Sequence, residues 1–349
     1  MRRDIGTDDP RVHVRPGRAS RPRTKIRPDY SDRPLAQVIA VDRGRFRLLM
    51  EETGIEVNAV KARELGRRAL VVGDYVRVTG DLSGRKDTLA RAVLIEERTS
   101  ELRRSTEEGY GRDRVIVANA DQLAIVTALA DPVPKPGMID RCLVAAYVAG
   151  MEPFLVLTKG DLADPEDLVA RYAPLGLPFY VTEAALEDFE DEDEASAPSY
   201  PSPDPASLRE LREALAGHET VLVGHSGVGK SSLINELVPE ANRATGHVNE
   251  VTGKGRHTST SAVSFGLPEG GRIIDTPGIR SFGLAHVGAD DLLNAFSDLR
   301  EISRECPRGC AHTEDALECS LSEVTEEPTL SRVQSFRRLL DSTRTHWSS

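Results

Sequence analysis

Residues 224–231 have the composition of a phosphate-binding loop. They read Gly-His-Ser-Gly-Val-Gly-Lys-Ser, which matches G-x-x-x-x-G-K-S, between the apolar run VLV and the helical sequence SLINELV. Glycines let backbone N–H groups converge on phosphate oxygens, and the following helix adds the positive end of its dipole. Lys230 would reach the β- and γ-phosphates, and Ser231 would ligate Mg²⁺. The residues predicted to bind the phosphates are Gly224, His225, Ser226, Gly227, Val228, Gly229, Lys230, Ser231 and Ser232.

A second motif, residues 272–278, has the pattern of a buried strand that ends in an acid and a tight turn. It reads RIIDTPG. Asp275 lies where a further carboxylate of the Mg²⁺ shell is expected, and the Gly278 N–H could sense the γ-phosphate. Both are therefore predicted to contact the nucleotide or its metal ion.

Between these motifs, residues 253–261 are basic and rich in hydroxyl groups. This composition is typical of a first switch, in which a threonine closes onto Mg²⁺ when the γ-phosphate is present. Thr258 is our candidate, and Ser259 and Thr260 are alternatives. An ordinary polar loop would have a similar composition.

The segment Thr158-Lys159-Gly160-Asp161 follows the apolar run FLVL and matches a guanine-recognition pattern. The Asp161 carboxylate can accept both N1–H and the exocyclic amine of guanine, a bidentate match that adenine does not offer. All four residues are predicted to bind the nucleotide, and GTP is favoured over ATP. Thr158 stands where the usual N-K-x-D pattern has Asn. A second base-contacting loop is predicted at residues 182–184.

Three of the four cysteines form a compact pattern with one histidine. Cys306, Cys310, His312 and Cys319 have the spacing C-x3-C-x-H-x6-C. Three thiolates and one imidazole complete a tetrahedral zinc site with no open position, so we predict one structural Zn²⁺ rather than a catalytic one. Cys142 lies on the apolar face of a predicted helix and is assigned to the core.

The elements that must position these residues fall into three groups. Residues 35–98 contain five short runs rich in Val and Ile and bounded by Gly or Asp, which predict a small barrel of the oligonucleotide-binding (OB) type, although an SH3-like barrel would produce a similar pattern. After a linker around residues 103–111, strands alternate with helices, beginning with VIVANADQLAIVTALA, which we interpret as one strand buried on both faces. From about Ala289 onward only helical segments are predicted.

The fold class is therefore multidomain: an N-terminal all-β OB-type barrel, a central α/β P-loop GTPase and a C-terminal, mainly α zinc-binding domain. The predicted units are a basic, disordered tail at 1–34, an OB-fold barrel at 35–98, a GTPase domain at 112–288 with an acidic, disordered insertion at 183–205, and a zinc-binding helical domain at 289–349.

The motifs occur in an unusual order. In ordinary small GTPases the phosphate loop precedes the guanine motif, whereas here residues 158–161 precede both 224–231 and 275–278. The GTPase domain is therefore predicted to be circularly permuted. With its barrel, permuted motifs and Cys/His cluster, the chain resembles the ribosome small subunit-dependent GTPase A (RsgA) family over roughly residues 35–340.

The resemblance implies a catalytic histidine and a ribosomal partner. Many GTPases position the attacking water with a Gln after the D-x-x-G turn, but Ile279 occupies that place, so intrinsic hydrolysis should be slow. In proteins similar to RsgA a switch histidine is the candidate substitute, which here is His257. With Lys230 and Thr258 it forms the predicted catalytic set, and a loop histidine facing solvent or RNA is the alternative.

Composition sets the remaining expectations. The chain has 349 residues and a net charge of -11, yet residues 1–34 carry ten Arg/Lys against five Asp, and residues 183–194 carry eight acids and no base. The basic tail could touch RNA phosphates or remain a solvated extension. No apolar run approaches the ~18 residues of a membrane span. The sequence contains no secretory h-region and its cysteines are closely spaced, so a cytoplasmic location is expected. We expect a monomer, because no coiled coil is evident.

Three functions are compatible with a phosphate loop in this sequence. The first, which the resemblance implies, is a GTP hydrolase (cofactors GTP/GDP, Mg²⁺ and one Zn²⁺) that assists late assembly of the small ribosomal subunit. The barrel and zinc domain would bind ribosomal RNA, and GTP hydrolysis would release the factor. The alternative is an RNA-binding module that holds GTP as a structural ligand without turnover. A P-loop ATPase or nucleotide kinase is disfavoured by the guanine motif.

Overall fold

The computed structural model describes residues 29–42, 44–66, 69–104, 114–183, 206–238, 262–276 and 287–344. Within them an N-terminal barrel, a central α/β sheet and a C-terminal group of helices follow one another along the chain. Among these residues, no helix is both long and apolar enough to cross a bilayer.

The barrel has five strands in the order β1-β2-β3-β5-β4 and closes through pairing of β4 with β1. Only β3 and β5 pair in parallel. Alternate side chains, such as Phe46, Leu48 and Met50, point into a shared core. The predicted five-stranded barrel is confirmed. Its strands are β1 (Leu35–Asp42), β2 (Arg45–Met50), β3 (Glu56–Lys61), β4 (Tyr75–Gly80) and β5 (Ala90–Ile95).

A two-stranded hairpin follows, and it corrects two sequence predictions. The run 115–130 is not one buried strand: β6 (Glu101–Arg104) pairs with β7 (Arg114–Ala118), and the chain turns before the next strand begins at Gln122. The predicted linker at 103–111 therefore begins inside β6. Asn119 explains the interruption, because it adopts a left-handed backbone with φ 56° and its side chain donates to the Gly73 carbonyl at 2.8 Å.

The central sheet has the order β10-β9-β8-β11-β13-β12, and only β12 runs antiparallel to its neighbour. Its middle strand β11 leads into residues 224–231 although three other strands of the sheet precede it in the chain, as circular permutation requires. The strands are β8 (Gln122–Ala128), β9 (Glu152–Thr158), β10 (Phe179–Val181), β11 (Glu219–Gly224), β12 (Val263–Gly266) and β13 (Arg272–Asp275).

Helices cover both faces of this sheet. Side chains alternate between two hydrophobic clusters along each strand: Leu123 and Ile125 join one cluster, and Ala124 and Val126 join the other. The first cluster is covered by α1 (Pro136–Ala149) and α2 (Glu166–Tyr172), and the second by α3 (Ala206–Leu215) and α4 (Lys230–Leu237). Cys142 on α1 is fully buried, in agreement with its assignment to the core.

The C-terminal helices continue the first of these clusters. Leu292, Phe296 and Phe336 are buried together with residues of α1 and β8. The helices are α5 (Ala289–Ala295), α6 (Ser297–Ser303) and α7 (Thr329–Arg344). Among the described residues from 289 to 344 the structure contains no strand, as predicted. These helices and the GTPase sheet therefore share one continuous core.

The barrel is joined to the sheet by direct backbone contacts. Ala40 of β1 pairs with Val263 of β12. Gly73 has φ 89°, and a Cβ at this position would lie 1.9 Å from the Ala118 carbonyl oxygen. Arg98 completes the junction by donating through Nε to Asp74 Oδ1 at 2.7 Å.

Candidate nucleotide and metal sites

The predicted phosphate loop forms a tight turn between β11 and α4. Gly227 and Gly229 both have φ near +80°, at 83° and 80°. A Cβ on Gly224 would lie 2.5 Å from the Val126 carbonyl oxygen, so the loop also packs against β8 without room for a side chain. Helix α4 begins at Lys230, and the N–H groups of its first turn point toward the loop.

Lys230 and Asp275 meet at the mouth of this loop. The lysine ammonium contacts the Asp275 carboxylate, and both side chains are largely buried. The end of β13 is held beside β11 because the Thr276 hydroxyl donates to the Leu222 carbonyl at 2.8 Å. The cation and carboxylate predicted to serve phosphate and Mg²⁺ therefore lie together.

The predicted guanine motif lies against the phosphate loop. The Thr158 hydroxyl donates to the Val228 carbonyl at 2.6 Å, and Thr158 is buried. Its side chain also lies 3.7 Å from the position of a Cβ on Gly229. Thr158 thus joins two segments separated in the chain, through a hydroxyl instead of the amide of the N-K-x-D pattern. The arrangement brings the 158–161 and 224–231 segments into one site.

A loop that sequence analysis did not single out borders both segments. Residues 129–135 connect β8 to α1. The Lys159 ammonium contacts the Asp131 carbonyl oxygen, and Pro132 Cδ lies 3.8 Å from a Cβ built on Gly227. Its place in the chain could have indicated a role, because the loop follows the carboxyl end of the parallel strand β8, where α/β folds bind ligands.

The second predicted base loop lies on the other side of the guanine motif. The Gly160 N–H donates to the Thr182 carbonyl at 3.0 Å. A Cβ on Gly160 would lie 2.7 Å from Val181 Cγ1, so glycine is needed for the close approach of the two loops. Asp161 is exposed at the end of the motif.

The Cys/His cluster forms a separate site in the C-terminal helices. The Cys306 sulfur lies 3.7 Å from His312 Nδ1 and 4.0 Å from the Cys319 sulfur. Including Cys310, all four ligand atoms lie within 4.8 Å of one another. A tetrahedron with zinc–sulfur bonds of about 2.3 Å has edges of about 3.8 Å, so the four residues fit one zinc ion. Burial lowers the pKa of His312, which favours the neutral imidazole that binds metal.

Comparison with known proteins agrees with this geometry. A model of the RsgA GTPase family matches residues 95–285. The chain belongs to this family. A small ribosomal subunit biogenesis GTPase RsgA of Ectopseudomonas mendocina is 37% identical over 287 residues, which cover 78% of this chain and 75% of the relative. RsgA GTPases hydrolyse GTP, so the chain is an enzyme of that class.

Solved structures show the same fold as this RsgA family member. The structure of YloQ, described as a circularly permuted GTPase, has a TM-score of 0.62 at 23% identity and covers 90% of this chain and 96% of its own. YjeQ from Thermotoga maritima has a TM-score of 0.63 at 24% identity and covers 89% and 98%. The predicted permutation and the resemblance to RsgA are confirmed.

Several predicted residues of the RsgA-type site are not placed. His257, Thr258 and Gly278 lie outside the described residues, as do Ser259, Thr260 and Ile279. Of the phosphate-loop residues, Ser226, Ser231 and Ser232 are exposed, and Val228 is buried beneath the loop. The structure therefore describes the predicted guanine segment at 158–161 and the phosphate loop at 224–231.

Replacing Thr158 by valine should weaken GDP binding about fivefold to tenfold. Valine has nearly the same shape but no hydroxyl, which leaves the Val228 carbonyl without this donor at a cost of ~1 kcal/mol or slightly more. Fluorescence titration with labelled GDP measures the change. Thr158→Ser keeps the hydroxyl and is expected to bind nearly as the natural chain does. Equal affinities of all three proteins would show that this hydrogen bond does not position the guanine motif.

Proposed function

We propose that this RsgA family member uses Mg²⁺-dependent GTP hydrolysis to time its release from a maturing small ribosomal subunit. The observation that carries the nucleotide assignment is the Thr158–Val228 hydrogen bond, which places the guanine motif beside the phosphate loop. The ribosomal part is supported by the relatives, which carry the name small ribosomal subunit biogenesis GTPase. The protein is proposed to be cytoplasmic and monomeric.

Guanine would bind between the 158–161 loop and the 182–183 loop. Asp161 accepts the N1–H and exocyclic amine of the base, while the stem of Lys159 lies alongside it. The hydrogen bond from Gly160 to Thr182 fixes the spacing of the two loops. Specificity for guanine follows because adenine presents an acceptor at N1.

The phosphates would bind at the turn before α4. Backbone N–H groups of Gly227, Gly229 and Lys230 hold the oxygens, and the Lys230 ammonium moves from Asp275 to the β- and γ-phosphates. The Lys230 ammonium would move only a short distance, because it and Asp275 already lie at the phosphate loop. Released Asp275 is then free to orient a water in the magnesium shell.

Ser231 and Thr258 would ligate the magnesium ion through their hydroxyl oxygens, the kind of donor that Mg²⁺ prefers. Asp275 would hold a water of the same site. When bound there, the ion would supply positive charge that offsets the negative charge developing during phosphoryl transfer. Gly278 would donate its N–H to the γ-phosphate, and so link the turn after β13 to the nucleotide state.

His257 is proposed to position the attacking water. A neutral imidazole can accept a hydrogen bond from that water, which Ile279 at the usual glutamine position cannot do. Binding to the subunit would bring His257 to the γ-phosphate and raise the slow intrinsic rate. In this way hydrolysis would be confined to the assembled complex.

The C-terminal site is proposed to hold one structural zinc ion. Cys306, Cys310, His312 and Cys319 use all four tetrahedral positions, so no position is open for substrate. The zinc module and barrel would bind ribosomal RNA. On the barrel, exposed cations would contact RNA phosphates with release of counterions: Arg45, Arg63, Arg85, Lys86 and Arg91.

The test compares GTP turnover with and without purified small subunits. We expect stimulation of at least about tenfold, because docking completes a catalytic site that lacks the usual glutamine. Sedimentation in GDP and in a non-hydrolysable GTP analogue should show tighter association with the analogue. Binding without stimulation would favour the RNA-binding module with structural GTP. Absence of binding with either nucleotide would remove the ribosomal assignment.

A further inference from the structure

A buried arginine lies where the C-terminal helices meet the GTPase domain. Arg332 on α7 is 1% exposed. Its Nε donates to Asp298 Oδ2 at 2.9 Å, and its Nη1 lies 3.6 Å from Asp140 Oδ1 on α1. The guanidinium also stacks over the Phe296 ring at 4.5 Å from the ring centroid. Contacts of this one side chain therefore connect the C-terminal helices to α1.

A tyrosine brings a second GTPase helix to the same point. Tyr172, at the end of α2, is almost fully buried, and its hydroxyl lies 3.2 Å from both the Pro136 carbonyl and Asp140 Oδ1. Its ring lies beneath Arg332, with the guanidinium carbon 5.7 Å from the ring centroid. We name the set Asp140, Tyr172, Asp298 and Arg332 the Arg332 cluster.

The two helices that meet at this cluster each follow a loop of the nucleotide site in the chain. Helix α1 follows the 129–135 loop, which contacts Lys159 and approaches Gly227. Helix α2 follows the guanine motif directly in the chain. Movement of α1 or α2 would therefore shift the loops that form the guanine side of the pocket.

Burying the charges of this cluster costs desolvation free energy that its hydrogen bonds do not fully offset. It contains two carboxylates and one guanidinium, and among the described residues Arg332 Nη1, Arg332 Nη2 and Asp298 Oδ1 have no hydrogen-bond partner. Burial raises the pKa of Asp140, although the Ser335 hydroxyl and Arg332 oppose that effect. An apolar contact of the same size would avoid these costs, so stability alone does not account for the charges.

We propose that Arg332 is a positioning residue for the guanine nucleotide: from α7 it holds α1 and α2, and through them the loops at 129–135 and 158–161. The inference rests on the proposed guanine site. Because coupling between two sites is reciprocal, nucleotide binding must in turn stabilise α7 and the Cys/His module that α7 supports. This connection through α1 and α2 does not involve the segment after β13, which contains Gly278.

The first test neutralises the cluster without leaving a single buried charge. The variant Asp140→Asn/Asp298→Asn/Arg332→Met is titrated with labelled GDP, and the expected result is a dissociation constant at least about fivefold higher. The hydrolysis rate at saturating GTP and the zinc content should remain those of the natural chain. A purely structural role would lower the melting temperature without this selective loss of affinity.

A matched control separates coupling from general destabilisation. Asp74→Asn/Arg98→Met removes a partly buried ion pair at the barrel junction, and Glu101, the second carboxylate beside Arg98, keeps its contact with Arg103. It should bind GDP as the natural chain does. Equal affinities of the control and the cluster variant would overturn the role of Arg332.

Hydrogen exchange tests the proposal on the natural chain, so it does not depend on folding of the variant. GDP should slow amide exchange in α7 as well as in residues 224–231. No GDP-dependent change in α7 would overturn the coupling. Asp161→Asn serves as the reference for the site itself: if that variant binds GDP normally, the proposed guanine site fails, whereas weaker binding with no effect of the cluster variant rejects only the present inference.

Discussion

Replacing Lys230 by methionine should lower GTP hydrolysis by about 10²- to 10³-fold, the usual loss when one preorganised donor to the developing charge is removed. Methionine has a similar length and retains the packing of the aliphatic stem, but it has no ammonium group for the β- and γ-phosphates. The loss should appear in both GTP affinity and turnover, because the lysine binds the phosphates before and during transfer.

Single-turnover hydrolysis with the small subunit present, together with titration of labelled GTP, measures this effect. Methionine also leaves Asp275 without its cation, so Lys230→Met/Asp275→Asn is measured beside it to distinguish lost catalysis from an uncompensated carboxylate. Arg209→Met removes an exposed cation of α3, which belongs neither to the nucleotide site nor to the proposed RNA-binding surfaces, and it should leave this turnover unchanged. Normal turnover in the Lys230 variant would refute the assignment of the phosphate loop.

Local spacing was sufficient to predict the parts of this site that are continuous in the chain. The glycines of residues 224–231 predict a loop that wraps phosphate, and Gly227 and Gly229 adopt the positive φ angles of its tight turn. The order of the motifs predicted a permuted sheet because each motif must follow its own strand. The pairing of β11 between β8 and β13 agrees with that order.

Contacts between distant segments could not be predicted in the same way. The Thr158 hydroxyl reaches the Val228 carbonyl only because β9 and β11 flank β8 in the sheet, so the threonine that replaces asparagine still makes a hydrogen bond to the phosphate loop. Asn119 divides an apolar run because its side chain and backbone bind Gly73 and Ser100, which lie in other elements. The sequence alone does not distinguish Arg332 from a surface residue of an amphipathic helix, because its partners Asp140 and Tyr172 lie far away in the chain.

Loss of the zinc site should cause the largest change in stability. Cys319→Ser removes the sulfur of a residue that is 2% exposed, and it should abolish zinc binding and lower the melting temperature by roughly 10 °C. The expected cause is that metal-binding energy of this kind is folding energy, since the ligands converge only in the folded module. Metal analysis and calorimetry measure the two effects, and chelation of the natural chain should reproduce both.

Cys142→Ala is the control, because Cys142 is a buried cysteine of α1 that is not part of the cluster. It should keep one zinc ion per chain. The damage in Cys319→Ser should extend beyond the module: the His312 ring packs against Phe336, and Phe336 packs against Phe296, which lies beneath Arg332. Zinc removal is therefore expected to weaken GDP binding as well. A chain that loses its metal yet binds GDP unchanged would show that the zinc module and the nucleotide site are energetically independent.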